Sequence, residues 1–390
     1  MPIAEIGADN VTDAANRSPP LDPRHIEGKE TAVAEEKKGR LSIPDKLLKG
    51  LDPEWVELWE KHGSSMVRAD ELSLEEYRKS PATYSFTYPT CPGPSVFYVE
   101  DIEIPVTQPA GKIMIRVYTP EGPGPFPVHL NFHGGGWVLG NLNSEAAWCR
   151  HICNKAQIKV IDVDYRLAPE FPYPTSIYDS WDAVKWASTR PNTIANASSI
   201  NVDPSSVSIG GLSAGGQMTA VMAHFARDEG VDLKLQLIIV PATDMRYCLR
   251  TRELNETTCP YESVLLYHDA PWGPLGREQW FLKYWLGDDD ATQERILTKE
   301  WICTPVLAPS FKNLAKAHII TAEFDLERDE GEYYGQLMQE AGNDVTMKRY
   351  PGVPHAFGHF NHPQRGLSQS FVYIEDTSRL LRQVHFGKSE

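Results

Sequence analysis

From residue 127 onward, short apolar runs alternate with segments of helical pattern, and this order constrains the fold more than any other feature. The apolar runs are rich in β-branched side chains, as buried strands are. The strand-like runs span residues 127–132, 160–163, 207–209, 235–240, 318–321 and 345–350, and the helical patterns span 144–157, 176–188, 214–227, 330–341 and 367–384. Because helical crossovers join parallel strands, this order predicts an α/β fold with a mostly parallel central sheet flanked by helices.

The stretch before residue 127 has a different pattern. Residues 112–118 alternate apolar and polar side chains, which is typical of an antiparallel strand with one buried face. Residues 96–99 and 102–106 are also strand-like, whereas residues 43–77 repeat their apolar positions at helical spacing. We therefore expect N-terminal helices, followed by strands that begin the sheet.

A glycine-rich turn joins the run at 207–209 to the helical pattern that begins at Ala214. Gly211, Ser213 and Gly215 have the spacing G-x-S-x-G. A serine on so sharp a strand-to-helix turn has strained backbone and an Oγ that points out of the sheet. The turn lacks the lysine or the G-x-G-x-x-G pattern of a phosphate-binding loop. The sequence therefore predicts Ser213 as a nucleophile.

A second glycine-rich segment follows the run that ends at Phe132. It reads His-Gly-Gly-Gly-Trp over residues 133–137. Consecutive glycines allow backbone N–H groups to approach a ligand closely. We predict that the N–H groups of Gly134, Gly135 and Ala214 form an oxyanion hole, which would stabilise the charge of a tetrahedral intermediate.

The candidate acid lies in the loop after the run at 318–321. In folds that carry this kind of serine turn, the chain order is serine, acid, histidine. Asp325 occupies the expected loop, and Glu323, Glu327 and Asp329 are its rivals. Asp329 is better placed to begin the next helix, where acidic side chains interact favourably with the helix dipole. We predict Asp325 as the acid.

The candidate base follows the run at 345–350. His355 lies in a short loop that two prolines and a glycine restrict, which suits a base with a fixed position. His359 and His362 are its rivals, but His355 completes the expected order. Ser213, Asp325 and His355 thus predict acyl transfer through a covalent intermediate on the serine.

These motifs resemble those of the hormone-sensitive-lipase-like family of α/β-hydrolase serine esterases. They occur in the family's order over about residues 95–385. The matching residues are 133–137 with Gly140, 164–170, 211–216, Asp325 with 329–331, and 354–357. One position departs from the family pattern, because Leu212 stands before the serine where the family often has an acid.

The resemblance implies an α/β-hydrolase fold with a helical cap and a serine carboxylesterase that uses no cofactor. Such enzymes usually cleave esters of short or medium acyl chains. Many relatives are dimers, so the resemblance allows a homodimer, although no exposed strand or helix can be singled out as its interface. Leu212 changes the charge beside the serine, so a substrate preference or pH optimum does not carry over from the family.

Residues 244–305 contain no clear strand-helix unit and are rich in aromatic side chains. The simplest interpretation is a helical insertion over the sheet. We expect an N-terminal arm and cap helices over residues 1–90, the first part of the catalytic core over 91–243, a cap insertion over 244–305 and the second part of the core over 306–390.

An aromatic-rich cap predicts an apolar pocket, because tryptophan and tyrosine supply large apolar walls with a polar tip. We expect Trp137, Leu212, Tyr267 and Trp280 to contribute to this substrate pocket. The predicted substrate is a small-molecule ester that is apolar, with a short to medium chain or an aromatic group.

Three alternative functions are weighed against the esterase. An amidase or formamidase, or a lactonase, could use the same three residues, and the sequence barely separates these from an esterase. A non-catalytic small-molecule receptor on this fold, as in the plant gibberellin receptors, is disfavoured. Those receptors resemble the family but lack the catalytic histidine, whereas His355 is present.

The composition excludes several partner classes. The 390 residues carry 38 basic and 53 acidic side chains, a net charge of −15, which argues against a nucleic-acid partner. Six cysteines are too sparse for a disulfide scaffold, and no cluster has the spacing of metal ligands. With no apolar run of 18 residues and no signal peptide, we expect no membrane span and a cytoplasmic protein.

Overall fold

The computed structural model describes residues 41–79, 93–189, 200–363 and 366–387. The N-terminal arm expected over residues 1–40 lies outside the described residues. Cys149, Cys153, Cys248, Cys259 and Cys303 are buried free thiols.

A single mixed sheet forms the centre of the described chain. Its strands are β1 (Tyr98–Thr107), β2 (Ala110–Thr119), β3 (Phe126–Phe132), β4 (Lys159–Asp164), β5 (Val202–Leu212), β6 (Leu235–Ile239), β7 (Ala317–Phe324) and β8 (Val345–Pro354). The strand order is β1-β2-β4-β3-β5-β6-β7-β8. β2 pairs antiparallel with β1 and β4, and every other pairing is parallel. The prediction of a mostly parallel sheet is confirmed.

Helices connect the strands and cover the sheet. They are α1 (Asp45–Leu48), α2 (Pro53–Leu58), α3 (Leu74–Lys79), α4 (Ala146–Ile152), α5 (Thr175–Thr189), α6 (Ala214–Glu229), α7 (Glu262–Tyr267), α8 (Leu275–Leu286), α9 (Asp290–Lys299), α10 (Arg328–Glu340) and α11 (Ser368–Phe386). Ring contacts join Trp148 on α4 to Tyr373 on α11, and Trp181 on α5 to Phe225 on α6. These contacts pack neighbouring helices together over the core.

Two strand boundaries differ from the sequence prediction. Residues 96–99 and 102–106 were expected as separate strands, but β1 is continuous from Tyr98 to Thr107. All ten of its residues pair with β2. The backbone pairing continues at Glu100 and Asp101, although their side chains are polar. Similarly, β5 begins at Val202, before the apolar run at 207–209. Apolar content therefore underestimated the length of both strands.

Helices from two distant parts of the chain lie against each other. Trp280 on α8 donates from Nε1 to the carbonyl oxygen of Leu72 at 2.9 Å. The amide of Leu74 on α3 bonds to the hydroxyl of Tyr284 on α8 at 3.1 Å. The N-terminal segment and the aromatic-rich insertion therefore contact each other directly. The domain boundaries themselves stay predictions.

The parallel strands bring the sequence motifs to one edge of the sheet. The segment at 133–137 follows β3, Ser213 follows β5, Asp325 follows β7 and His355 follows β8. The carboxyl ends of parallel strands lie at the same edge, where ligands of α/β folds commonly bind. The motifs spread over more than 200 residues of sequence therefore converge there.

Candidate active site

Ser213 lies between β5 and α6 in a strained conformation. Its φ is +59° and its ψ is −119°, a backbone region that a serine rarely adopts. The Ser213 amide donates to the carbonyl oxygen of Ile239 at 2.8 Å, which ties the turn to the end of β6. A Cβ on Gly215 would lie 1.8 Å from the carbonyl oxygen of Phe132. Only glycine allows the turn to pass this close to β3.

Asp325 and His355 are hydrogen-bonded across the loops that follow β7 and β8. Asp325 Oδ2 lies 2.8 Å from Nδ1 of His355. The Asp325 side chain is 2% exposed and the His355 side chain 14%. An ionised carboxylate only accepts hydrogen bonds, so Nδ1 carries the proton and Nε2 is left as a proton acceptor. This arrangement suits a general base that an acid orients.

The other acids of this loop have different surroundings. Glu323 accepts a hydrogen bond from the Gly352 amide at 2.7 Å. Asp329 pairs with Arg328 at 2.7 Å and lies in the first turn of α10, as expected. Glu327 remains near the site, because its Oε2 lies 3.7 Å from Nδ1 of His355.

The segment after β3 requires a correction to the predicted oxyanion hole. The Gly134 amide donates to Oε1 of Glu145 at 2.8 Å. A backbone N–H carries one proton, so Gly134 is committed to Glu145 and the prediction that it is an oxyanion donor is wrong. Within the described chain, Gly135 and Gly136 have no protein acceptor for their N–H groups. Ala214, the first residue of α6, has no intrahelical acceptor for its N–H.

Glu145 is a site residue that the sequence reasoning missed. It is buried before α4, and its Oε2 accepts a hydrogen bond from the side-chain amide of Asn131 at 3.0 Å. Burial raises the pKa of Glu145, but hydrogen bonds from His359, Gly134 and Asn131 outweigh burial and hold the pKa below its ordinary value. A charged Glu145 is a strong acceptor for the loop amide. No sequence signal separates this acid from an ordinary residue at a helix start.

Tyr165 holds the start of the segment at 133–137 through His133. His133 stacks on Tyr165, with ring centroids 4.2 Å apart, and the Tyr165 hydroxyl donates to the His133 carbonyl oxygen at 2.7 Å. Burial lowers the pKa of His133, so the ring is neutral. In the following loop, Arg166 forms a two-pronged ion pair with Asp179. Arg166 thus ties the loop at 164–170 to α5.

Comparison with known proteins identifies the family. A family model described as alpha/beta hydrolase fold matches residues 129–359, more than half of the chain. The carboxylesterase NlhH of Mycobacterium tuberculosis is 35% identical over 253 residues, which cover 64% of this chain and 72% of that protein. The chain belongs to the hormone-sensitive-lipase-like esterases of the α/β-hydrolase fold. It is a serine carboxylesterase.

Two further proteins support this assignment. The arylesterase of Saccharolobus solfataricus is 31% identical over 259 residues, which cover 66% of this esterase and 74% of that protein. The structure of a hyperthermophilic esterase from the archaeon Pyrobaculum calidifontis superimposes with a TM-score of 0.71 and 28% identity, and covers 86% of this chain and 98% of its own. None of the helices that the structure describes combines the length and apolar character needed to cross a bilayer.

An aromatic cavity of about 120 Å³ reaches His355 of the esterase. Its apolar walls include Leu41, Trp55, Trp59, Met66, Tyr77, Leu139, Trp272, Ala356 and Phe360, and its charged side chains are Arg68, Asp70 and Arg277. Arg68 pairs with Asp70 at 2.6 Å. The walls come from the N-terminal segment, the insertion and the loops after β3 and β8.

The four residues expected in the pocket occupy other positions. Trp137 stacks on Trp285 of α8, with ring centroids 3.8 Å apart and an interplanar angle of 4°. Tyr267 packs against Phe324, and Trp280 bonds to Leu72. Leu212 is buried, directly beside Gly134. Among the described residues, the lining of the cavity at His355 includes none of the four, because they pack the loops and the insertion together.

One group of side chains has spacing compatible with a metal ion. Nδ1 of His355 and carboxylate oxygens of Asp325 and Glu327 lie within 4.8 Å of one another. Metal bonds of about 2.0–2.2 Å in tetrahedral geometry need more than 2.8 Å between two ligand atoms. The 2.8 Å separation of Asp325 and His355 fits a direct hydrogen bond better than a shared metal.

Proposed function

We propose that this esterase hydrolyses small apolar esters, with a short to medium chain or an aromatic group, through an acyl-enzyme intermediate on Ser213. His355 removes the Ser213 proton as Oγ attacks the ester carbonyl carbon. The carbonyl oxygen becomes an oxyanion, which accepts hydrogen bonds from Gly135, Gly136 and Ala214. His355 then donates the proton to the leaving alcohol as the C–O bond breaks. In the second half of the cycle, His355 removes a proton from a water molecule as its oxygen attacks the acyl carbon. The bond to Ser213 Oγ then breaks, His355 returns the proton to Oγ, and the carboxylic acid is released.

The observation that carries this proposal is the hydrogen bond of 2.8 Å between Asp325 and His355. It orients the imidazole with Nε2 free to accept a proton, and the carboxylate stabilises the imidazolium that forms. The strained backbone of Ser213 supports the nucleophile role, because such strain is commonly kept at functional positions.

The cavity at His355 supports the substrate class. Its volume of about 120 Å³ is comparable to the cavity of roughly 150 Å³ that binds benzene in another protein. One aromatic ring or a short aliphatic chain therefore has a size that suits this cavity, whose wall includes Trp55, Trp59 and Trp272. The name of the arylesterase relative agrees with an aromatic ester.

A panel of p-nitrophenyl esters of rising chain length tests the reaction and the substrate class together. We expect the highest kcat/KM on short to medium chains and the loss of nearly all activity in Ser213→Ala. Hydrolysis at the wild-type rate by Ser213→Ala would overturn the mechanism. Amide and lactone hydrolysis are tested by comparing each ester with its matching amide and lactone, and we expect the ester to be the better substrate.

The helical layer of residues 41–79 and 244–305 is proposed to act as the cap of this site. Its support is the bond between Trp280 and Leu72 and the share that both segments take in the cavity wall. The homodimer and the cytoplasmic location expected from the sequence stay predictions.

A further inference from the structure

Glu327 is a buried acid that the proposed mechanism does not use. Its side chain is 2% exposed, and its Oε2 lies 3.7 Å from Nδ1 of His355. In the part of the chain that the structure describes, this oxygen has no hydrogen-bond partner. Glu327 precedes α10, yet its side chain does not cap the helix. Oε2 therefore faces the imidazole without a hydrogen bond to another residue of the described chain.

The surroundings of Glu327 are rich in acids. The charged or titratable groups that face it come from its own loop, α10, α8 and the loop after β8, and they are Asp325, Glu330, Glu278, Arg277 and His355. Burial raises the pKa of Glu327 well above its usual value, and repulsion from Glu278 and Asp325 raises it further. Two buried carboxylates this close do not both ionise readily. Burial and the acidic neighbours therefore both favour the protonated form of the Glu327 carboxyl group.

We propose that Glu327 is a second positioning acid for His355, able to hold the imidazole when Asp325 is lost. This inference rests on the proposed triad. Oε2 needs to move only about 0.7 Å to reach hydrogen-bond distance of Nδ1. Removal of the Asp325 side chain leaves room for Glu327 to approach His355. It also removes the negative charge that disfavours ionisation of Glu327. The ionised Glu327 then accepts a hydrogen bond from Nδ1–H and holds the imidazole in the same tautomer.

The test compares four proteins: the wild type, Asp325→Ala, Glu327→Gln and Asp325→Ala/Glu327→Gln. Loss of a triad acid by substitution with alanine costs about 10⁴-fold in kcat in a well-studied serine hydrolase. Here we expect Asp325→Ala to lose only about 10²-fold, because Glu327 substitutes, and the double variant to lose about 10⁴-fold. Glu327→Gln should therefore cost far more in the Asp325→Ala background than in the wild type.

The pH profile separates positioning from a structural role. The activity of Asp325→Ala should rise with pH as Glu327 loses its proton, and the double variant should lack this rise. Asp325→Ala/Glu323→Gln is the matched control, because Glu323 bonds to Gly352 and glutamine keeps an oxygen for that bond. It should behave like Asp325→Ala. Thermal melting of every variant checks the fold.

Two results would overturn the inference: an equal cost of Glu327→Gln in both backgrounds, or an Asp325→Ala activity as low as that of the double variant at every pH. Neither result would contradict the proposed function, which fails separately if Ser213→Ala or His355→Ala retains wild-type turnover. The two failures are therefore distinguishable in the same set of assays.

Discussion

The amide of Gly134 donates to the buried carboxylate of Glu145 at 2.8 Å, so an acid eleven positions later fixes the first glycine of the loop after β3. Asn131, at the end of β3, donates to the other oxygen of the same carboxylate. Glu145 therefore couples the strand to the loop. With Gly134 held in this way, the amides of Gly135 and Gly136 are the ones left available for an oxyanion.

Glu145→Ala is expected to lower kcat by about tenfold to hundredfold with a smaller change in KM. Loss of the acceptor releases Gly134, and a small displacement of oxyanion donors weakens transition-state binding more than substrate binding. Steady-state kinetics on a short p-nitrophenyl ester measures the effect. Glu145→Gln is the control, because its amide oxygen can still accept from one donor, so it should lose less. An unchanged kcat in Glu145→Ala contradicts a role for Glu145 in holding the loop.

Trp285→Ala is expected to reduce the free energy of unfolding by about 3–5 kcal/mol. The indole is buried and stacks on Trp137, so its removal leaves a cavity between α8 and the loop after β3. Trp285→Phe should cost clearly less, because it retains a ring. Within the described residues, the indole N–H of Trp285 has no hydrogen-bond partner to lose. Urea unfolding of both variants gives the comparison, and equal losses would argue against the stacking contact.

Trp272→Ala is expected to shift the preference toward longer acyl chains. Trp272 forms part of the cavity wall at His355 and donates to the Phe324 carbonyl oxygen at 3.2 Å. Removal of the indole enlarges the cavity, so the ratio of kcat/KM for octanoate to that for butanoate should rise by about tenfold. Trp272→Phe keeps most of the wall and should shift the ratio little. A ratio that is unchanged in Trp272→Ala would place the acyl chain elsewhere.

Acid should destabilise the fold through two histidines, the buried His129 on β3 and the partly buried His385 on α11. Burial lowers the pKa of His129 to about 3 and that of His385 to about 4. Ser208 Oγ contacts both rings at 2.9 Å, which joins α11 to β3 and β5. In the unfolded chain the pKa of histidine is about 6.5, so the unfolded state binds protons that the folded state excludes. The free energy of unfolding should therefore be highest above about pH 6.5 and fall as the pH drops toward 4.

The free energy of unfolding measured from pH 8 to pH 4 checks this dependence. His385→Gln removes one of the titrating rings, so its slope against pH should be shallower than that of the wild type. The difference expected from His385 over this range is on the order of 3 kcal/mol. Parallel slopes for the wild type and His385→Gln would show that His385 does not titrate in this way.

The order of strands and helices was predictable because each buried strand is marked by a continuous apolar run. The positions of Asp325 and His355 were predictable for a related reason. Each follows a strand of a parallel sheet, and parallel strands end at one edge. Loop residues at that edge meet whatever their separation in the sequence. The boundaries of β1 and β5 were not predictable in this way, because pairing continues through polar residues.

Details of the site depend on side-chain contacts that no local pattern encodes. Gly134 and Gly135 are equivalent in a run of glycines, and only the position of Glu145 separates them. The sequence predicted Trp137 as a pocket residue, but its ring stacks on the ring of Trp285. Conversely, Trp55 showed only helical periodicity in the sequence, yet it lies in the cavity wall, where its ring contacts Phe360 of the loop after β8.

The most direct test of the account is covalent labelling with a p-nitrophenyl alkylphosphonate, followed by peptide mass spectrometry. The acyl-enzyme mechanism predicts one phosphonyl group on the peptide that contains Ser213, loss of esterase activity in proportion to labelling, and no labelling of Ser213→Ala. Labelling of another residue with Ser213 unmodified, or full inhibition without a phosphonyl group on Ser213, would contradict the acyl-enzyme mechanism.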